Sequence, residues 1–248
     1  MFKNSIRLIK SALLISTVAL STSALATKVV FDTSEGQIEI NLFDTGTPKT
    51  VANFLSYVND GSYDNTVVHR SVPGFVVQGG GYAFEGSLSL TKLPTRNSVT
   101  NEPVYSNRRG TIAMAKIGGL PNSATNQWFF NLVDNHNALD ATESGYTVFG
   151  QVVEGMDVVD KIATYATCNS IPTIDFVCAA ESVPGVENLV TIYSATISDT
   201  STDSASSLNP VENTLIDAKD KEDSSGGSSS ILALFAMSLL ILNRKKIH

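Results

Sequence analysis

The stretch from Val67 to Gly81 carries the residues whose types and spacing are best suited to chemistry. Arg70 ends one apolar run and Gln78 ends a second, with Pro73-Gly74 predicted to turn the chain between them. So short a turn brings the side chains of two strands close together. Arg70 then offers a permanently charged fork of N–H donors and Gln78 an orientable amide. With an aromatic ring between them in sequence, the pair suits a neutral ligand that has a carbonyl and an apolar group.

Other kinds of chemistry find little support in the sequence. It has no Gly-x-Ser-x-Gly motif, no cysteine near a histidine and no local Ser, His and Asp grouping. The histidines and cysteines are too scattered for a zinc site, and no acidic pair stands out for glycoside hydrolysis, although spacing alone does not exclude one. Gly79–Gly81 lacks the features of a phosphate loop, so we predict a tight exposed turn there. We expect neither a metal nor a cofactor.

The elements that must position these residues are mostly short β-strands. Each of eight runs is rich in β-branched or aromatic residues, and the first two are close enough to form a hairpin. The predicted strands are Lys28–Thr33, Gly36–Leu42, Thr66–Arg70, Phe75–Gln78, Thr111–Ala115, Trp128–Leu132, Thr147–Val153 and Leu189–Ser198.

Two helices interrupt the strands. Thr47 is the predicted N-cap of the first, Pro48 occupies its first position, and Asn59-Asp60-Gly61 ends it. The second begins near Gly155, and its apolar face carries Val158, Val159 and Ile162. Because helices do not alternate with strands, we predict a closed eight-stranded antiparallel β-barrel capped by two helices, rather than a doubly wound α/β domain. Side chains fill a barrel of this size, so a substrate would bind outside it or at its mouth.

The N-terminus and the cysteines predict export. Basic residues precede the apolar run Ala12–Leu20, and Ala24-Leu25-Ala26 supplies the small residues of a cleavage site, so residues 1–26 are a predicted signal peptide. In the oxidising compartment that export implies, Cys168 and Cys178, the two cysteines of the chain, are most simply a disulfide.

The C-terminus has the composition of a sorting signal or a membrane anchor. The apolar run Ile231–Leu242 follows Gly226-Gly227 and precedes a basic cluster. As a helix this run would rise about 18 Å against roughly 30 Å for a hydrocarbon core, so it is a poor permanent span. Residues 226–248 resemble the GlyGly-CTERM sorting tails of Gram-negative bacteria, which implies cleavage by a rhomboid-type protease and a location in the periplasm or at the cell surface. The alternative is a weak membrane anchor that is never processed.

The net charge of the chain limits the classes of partner that we expect. The formal net charge is −7, and no basic face is concentrated in the sequence, so a nucleic-acid partner is not expected. Residues 199–225 are acidic and poor in apolar side chains, which predicts a flexible linker between the folded domain, residues 27–198, and the tail.

Four ordered blocks resemble the signature blocks of cyclophilins, which are peptidyl-prolyl cis-trans isomerases, and most closely those of the exported bacterial branch. They are His69–Gly81, Gly110–Ala115, Asn126–Asn131 and Tyr146–Met156. The family fold, an eight-stranded antiparallel barrel capped by two helices, agrees with the strand and helix count above. The resemblance also implies the partners, which are proline-containing unfolded or folding polypeptides, and a monomer is expected.

The resemblance implies a role for each matching position. Arg70 is the implied catalytic arginine, and Gln78 helps to orient it. Phe75, Phe129 and Leu139 become walls of the pocket that takes the proline ring. The full set of implied substrate-binding residues is His69, Phe75, Val76, Ala115, Lys116, Gln127, Phe129, Leu139 and Tyr146.

Four departures from the family pattern concern specificity. Ala138 stands where many eukaryotic members have a tryptophan that contributes to cyclosporin binding, so we expect weak cyclosporin sensitivity. Lys116 replaces a common asparagine, Val76 replaces a usual methionine, and the insertion with Cys168 and Cys178 is not part of the minimal pattern.

The implied reaction needs no covalent intermediate. Rotation about an X-Pro bond faces a barrier of about 18–20 kcal/mol because the C–N bond has partial double-bond character. A guanidinium beside the proline nitrogen would bind the twisted amide more strongly than the planar one, which is what catalysis requires. The alternative hypothesis is a non-catalytic prolyl-peptide binding module or holdase chaperone at the cell envelope.

Overall fold

The computed structural model describes residues 27–179, 182–199 and 208–216. The predicted signal peptide, residues 1–26, and the predicted sorting tail, residues 226–248, lie outside the described residues, as does much of the predicted linker. In the described part of the chain, no helix is both long enough and apolar enough to cross a membrane.

The described chain is mainly β-structure with three α-helices. The helices are α1 (Pro48–Asn59), α2 (His136–Leu139) and α3 (Met156–Thr164). The strands are β1 (Lys28–Thr33), β2 (Gly36–Leu42), β3 (Thr66–Val67), β4 (Arg70–Val72), β5 (Val76–Gly79), β6 (Tyr82–Ala83), β7 (Thr91–Lys92), β8 (Thr111–Met114), β9 (Trp128–Asn131), β10 (Val148–Glu154), β11 (Thr167–Cys168), β12 (Ile171–Pro172) and β13 (Thr191–Asp199).

Eleven of these strands form one curled antiparallel sheet in the order β4-β5-β9-β8-β10-β2-β1-β13-β3-β6-β7. The predicted mainly β, antiparallel fold is confirmed. The predicted closed eight-stranded barrel is wrong, because the sheet has eleven strands and ends at β4 and β7. The predicted strand Thr66–Arg70 is divided, because β3 pairs with β13 while β4 pairs with β5. The two ladders end on neighbouring residues: the Val68 N–H donates to the Val190 carbonyl and the His69 N–H to the Gln78 carbonyl.

Aromatic side chains fill the inside of the curl. Phe31 stacks on Trp128 with ring centroids 4.8 Å apart, and the rings of Phe54, Tyr63 and Phe130 meet Phe31 edge-on. All five are fully buried, and such offset or edge contacts add to the free energy gained by burying the rings.

Both predicted helices are present, and Thr47 and Pro48 occupy the predicted N-cap and first helical positions of α1, but the Thr47 side chain does not cap the helix. The Thr47 hydroxyl donates a long 3.4 Å bond to the Phe43 carbonyl and caps no helical amide. The carboxylate of Glu102 accepts the N–H groups of Lys49 and Thr50 instead, at 3.3 and 2.9 Å. A negative group at a helix N-terminus is favourable, and here it comes from a loop more than fifty residues away.

The insertion after α3 lies beside the strand that carries Arg70. β11 and β12 form a separate hairpin, and Cys168, the last residue of β11, is joined to Cys178 by a disulfide with Cα atoms 5.6 Å apart. The Ser170 carbonyl at the tip of this hairpin accepts the N–H of Ser71 at 2.8 Å. The insertion thus covers one backbone donor of β4.

Candidate active site on the outer face of the sheet

Arg70, Gln78 and Gln127 form a row of hydrogen-bonded polar side chains. Arg70 and Gln78 lie directly opposite each other in the β4–β5 ladder, and opposed residues share a face of the sheet. Arg70 Nη1 donates to Gln78 Oε1 at 3.4 Å, and Gln78 Nε2 donates to Gln127 Oε1 at 2.9 Å. Burial lowers the pKa of Arg70. A guanidinium nevertheless keeps its charge in proteins, so the row ends in a cation.

An apolar cluster lies on the same face as this row. Phe129 is opposite Gln78 in the β5–β9 ladder, and Val76 is two residues before Gln78. Both pack in one cluster with Leu139 of α2, and Phe75 lies against it. The Tyr146 ring meets the Phe129 ring edge-on, with centroids 5.9 Å apart. The structure therefore brings together the residues that the sequence predicts as the proline pocket.

Gly79–Gly81 are buried, so the predicted exposed turn is wrong. A Cβ atom on Gly80 would lie 2.5 Å from the Asn126 carbonyl oxygen, and one on Gly81 would lie 2.5 Å from Gln127 Cγ. Gly80 also has a φ of +85°, which residues with a side chain rarely adopt. The glycines are required because the segment that carries Gln127 packs directly on their backbone.

The ammonium group of Lys116 is bound by a loop at the rim of the pocket. Its ammonium donates to the carbonyls of Glu143 and Gly145, each at 2.5 Å, and lies 4.7 Å from the centre of the Tyr146 ring. Burial lowers the pKa of Lys116 to about 8. The backbone N–H of Ala115, the preceding residue, donates to the Gln127 carbonyl at 2.9 Å. Lys116 thus fixes the loop from Leu139 to Tyr146 at the rim of the pocket, and its predicted role in substrate binding stays a prediction.

The side chain of His69, the residue before Arg70, is partly buried. Its ring meets the Tyr82 ring edge-on at 4.7 Å. Burial lowers the pKa of His69 to about 4, and the neighbouring Arg70 charge adds to this effect. The imidazole is therefore neutral at neutral pH.

A buried amide network supports the pocket, and sequence patterns did not reveal it. Asn135 Nδ2 donates to the Phe75 carbonyl at 2.9 Å and to Asn131 Oδ1 at 2.8 Å, and Asn131 Nδ2 donates to Asn107 Oδ1 at 3.1 Å. Asp140 Oδ1 accepts both the backbone N–H and the Nδ2 of Asn107, at 2.8 and 2.9 Å. The sequence did not reveal the network because nothing local marks these side chains as partners of one another.

The network reaches three parts of the pocket. It holds the backbone of the wall residue Phe75, and it holds Asp140, which follows the wall residue Leu139. Asn107 Nδ2 also lies 3.3 Å from the carbonyl of Tyr146, which it can donate to. Within the described part of the chain, no group of three or more His, Cys, Asp or Glu side chains is placed to hold a metal ion.

The lowered pKa of His69 predicts a pH dependence of stability. Between pH 6.5 and 4 the unfolded chain binds a proton on this histidine and the folded chain does not, so the free energy of unfolding should fall as pH falls through that range. His69→Gln should remove this part of the decline, whereas His136→Gln should retain it. NMR titration and denaturant unfolding measure both effects, and a His69 ring that titrates near pH 6.5 would contradict the prediction.

Comparisons with known proteins agree on one family. The family model described as Cyclophilin type peptidyl-prolyl cis-trans isomerase/CLD matches residues 28–180. The chain is 43% identical over 159 residues to a peptidyl-prolyl cis-trans isomerase of Acinetobacter baylyi, covering 63% of this chain and 82% of that one. It is 47% identical over 146 residues to peptidyl-prolyl cis-trans isomerase B of Escherichia coli, covering 57% and 87%.

A solved structure shows the same fold at low sequence identity. A cyclophilin type peptidyl-prolyl cis-trans isomerase of Cryptosporidium parvum superposes with a TM-score of 0.54 and 22% identity, over 71% of this chain and 99% of that chain. The family model and the relatives carry the assignment, and this structure agrees with it in fold. The chain therefore belongs to the cyclophilin family and is a peptidyl-prolyl cis-trans isomerase.

Proposed function

We propose that Arg70 catalyses rotation of X-Pro bonds by stabilising the twisted amide, without a covalent intermediate. Conjugation is lost in the twisted state, so the proline nitrogen recovers its lone pair and becomes a better hydrogen-bond acceptor. A charged N–H donor next to that nitrogen binds the twisted state more strongly than the planar state, and such differential binding lowers the barrier. The observation that carries this proposal is the hydrogen bond from Arg70 to Gln78, since Gln78 also lies directly opposite Phe129 of the apolar cluster.

The polar row supports this role by fixing the donor before substrate arrives. Gln127 Oε1 accepts a hydrogen bond from the Gln78 amide nitrogen, which leaves the Gln78 oxygen facing Arg70. Gln127 is itself held against the backbone of Gly81. A donor positioned in advance needs no reorganisation during the reaction, and this makes its interaction with the twisted amide more effective.

The apolar cluster provides the second part of the mechanism. Val76, Phe129 and Leu139 are buried side chains that form a surface without hydrogen-bonding groups, as a proline ring requires. Anchoring the ring lets the acyl part of the substrate rotate against a fixed nitrogen, so the guanidinium meets the nitrogen in a defined geometry.

Replacing Arg70 tests the mechanism. Arg70→Ala should lower kcat/KM for cis-to-trans relaxation of an X-Pro peptide by about 10²- to 10³-fold, the usual effect of removing one donor to developing charge. Arg96→Ala is the matched control, since Arg96 is an exposed arginine paired with Asp60 on α1's side of the fold. This control should keep the wild-type rate.

Two outcomes would contradict the mechanism. An Arg70→Ala rate equal to that of wild type would show that the guanidinium is not the catalytic group. If wild type itself matched buffer, the alternative of a non-catalytic prolyl-peptide binding module or holdase would be favoured, and suppression of client aggregation would then be the activity to measure.

Inhibitor sensitivity tests the shape of the pocket rim. Ala138 is an exposed residue of α2, directly before the buried Leu139, and it presents no large ring to a cyclic peptide. We expect weak inhibition by cyclosporin, and we expect Ala138→Trp to tighten binding by about tenfold through added aromatic contact area. Asn137→Trp, one position earlier, is the control that should leave affinity unchanged. Tight inhibition of wild type would contradict the expectation.

We propose that the enzyme acts as a monomer on exported proteins in the periplasm or at the surface of a Gram-negative cell. The signal-like N-terminus supports export, and so does the Cys168–Cys178 disulfide, since disulfides persist in oxidising compartments. The clients would be polypeptides whose folding waits on slow X-Pro isomerisation. The tail from Gly226 would hold the enzyme at the membrane until a rhomboid-type protease cuts it.

The mature C-terminus tests the fate of this tail. Mass spectrometry of the protein from the native cell surface should find a terminus near Gly226-Gly227, without the apolar run Ile231–Leu242. A surface fraction whose peptides still include that run would exclude processing there and favour the permanent weak anchor. Recovery of the chain from the cytoplasm with residues 1–26 intact would contradict export itself.

A further inference from the structure

Residues 208–216, here called the strap, lie along the folded domain although they fall within the predicted flexible linker. The backbone N–H of Ser106 donates to the Val211 carbonyl at 2.8 Å, and the N–H of Asn213 donates back to the Val104 carbonyl at 2.8 Å. The family model matches residues 28–180, so the strap lies beyond the part of the chain that the family match covers.

The strap contacts the loop from Leu139 to Tyr146, which includes the wall residue Leu139 and the rim of the pocket. Asn213 Nδ2 donates to the carbonyl of Asp140, the residue after the wall residue Leu139, at 2.8 Å. At the other end of the loop, a Cβ atom on Gly145 would lie 2.9 Å from Ile216 Cδ1, so the strap closes over this glycine. Leu208 at the start of the strap packs against the pocket cluster.

The loop is held from two sides. On its inner side, Asn107 donates to the Asp140 carboxylate at 2.9 Å, and the loop is closed on itself because the Tyr146 N–H donates to the Leu139 carbonyl at 3.0 Å. On its outer side, Asn213 is bonded to the backbone of the same Asp140. The position of the wall therefore depends on a donor outside the segment that matches the family.

We propose that the strap positions the proline pocket and that Asn213 is a positioning residue for the isomerase reaction. This inference rests on the proposed use of the Phe129 and Leu139 cluster as the site of the proline ring. The pocket holds that ring in the planar and the twisted state alike. Loosening its wall therefore weakens both states equally, which raises KM and leaves kcat nearly unchanged.

Isosteric replacement of the donor tests the proposal in the full chain. Asn213→Asp keeps the shape of the side chain and the oxygen that accepts the Leu215 N–H, but it cannot donate to Asp140. We expect KM for an X-Pro peptide to rise about three- to tenfold, the effect of one hydrogen bond, with kcat changed less than about twofold. Asn213→Ala, which removes the donor without adding a charge, should do the same. Hydrogen exchange at the Tyr146 amide should become faster in both variants.

Matched controls separate positioning from stability and from the mechanism. Asn209→Asp and Asn209→Ala make the same chemical changes at an exposed strap residue and should leave KM and exchange at wild-type values. A KM at position 213 equal to that of these controls would overturn the proposal, even if the melting temperature fell. Loss of kcat at unchanged KM would also overturn it. Failure of Arg70→Ala to lower the rate would overturn the mechanism instead, so the two failures are distinguishable.

Discussion

Alternation along the pleated strands β4, β5 and β9 is the constraint on which both the core and the site depend. Successive side chains of a strand point to opposite faces, so Val77, Trp128 and Phe130 enter the aromatic core while Val76 and Phe129 face the pocket. A shift of one residue in register would exchange the two sets. The tight packing of the core rings therefore fixes the register, and the register places Gln78 opposite Arg70 and next to Phe129.

The second requirement is that the polar groups buried behind the pocket find hydrogen-bond partners within the protein. Asn107, Asn131, Asn135 and Asp140 are all buried, and each is bonded to another member of the set. A half-satisfied network would cost more than an apolar core, so such a set tends to hold one arrangement. Through the Phe75 carbonyl and the loop from Leu139 to Tyr146, that arrangement is transmitted to the residues that would contact a proline ring.

The rim shows how a charged residue can be used structurally in an otherwise apolar site. Lys116 sits where its charge is partly desolvated, yet two carbonyls and the face of the Tyr146 ring surround its ammonium. Such a cation fixes the loop that the strap braces from outside. If the strap acts as proposed, this enzyme supplements its catalytic domain with a short segment taken from the acidic stretch that leads to its tail.

Local sequence by itself determined the β-rich class, the two main helices and the blocks that identify the family, because hydrophobic period, turn residues and ordered motifs are carried by neighbouring positions. It also placed Arg70 and Gln78 at the ends of adjoining runs, which was enough to predict their proximity. The sequence did not show the division of β3 from β4, the burial of Gly79–Gly81 or the use of Glu102 as the group that caps α1. Only the tertiary structure decided those points, together with the amide network and the docking of the strap. Each depends on partners far along the chain, such as Glu102 with Thr50, Asn135 with Phe75 and Asn213 with Asp140, which lie 52, 60 and 73 residues apart. Contacts at that separation leave no periodic trace in the sequence, since they exist only once the sheet has curled and brought distant loops together.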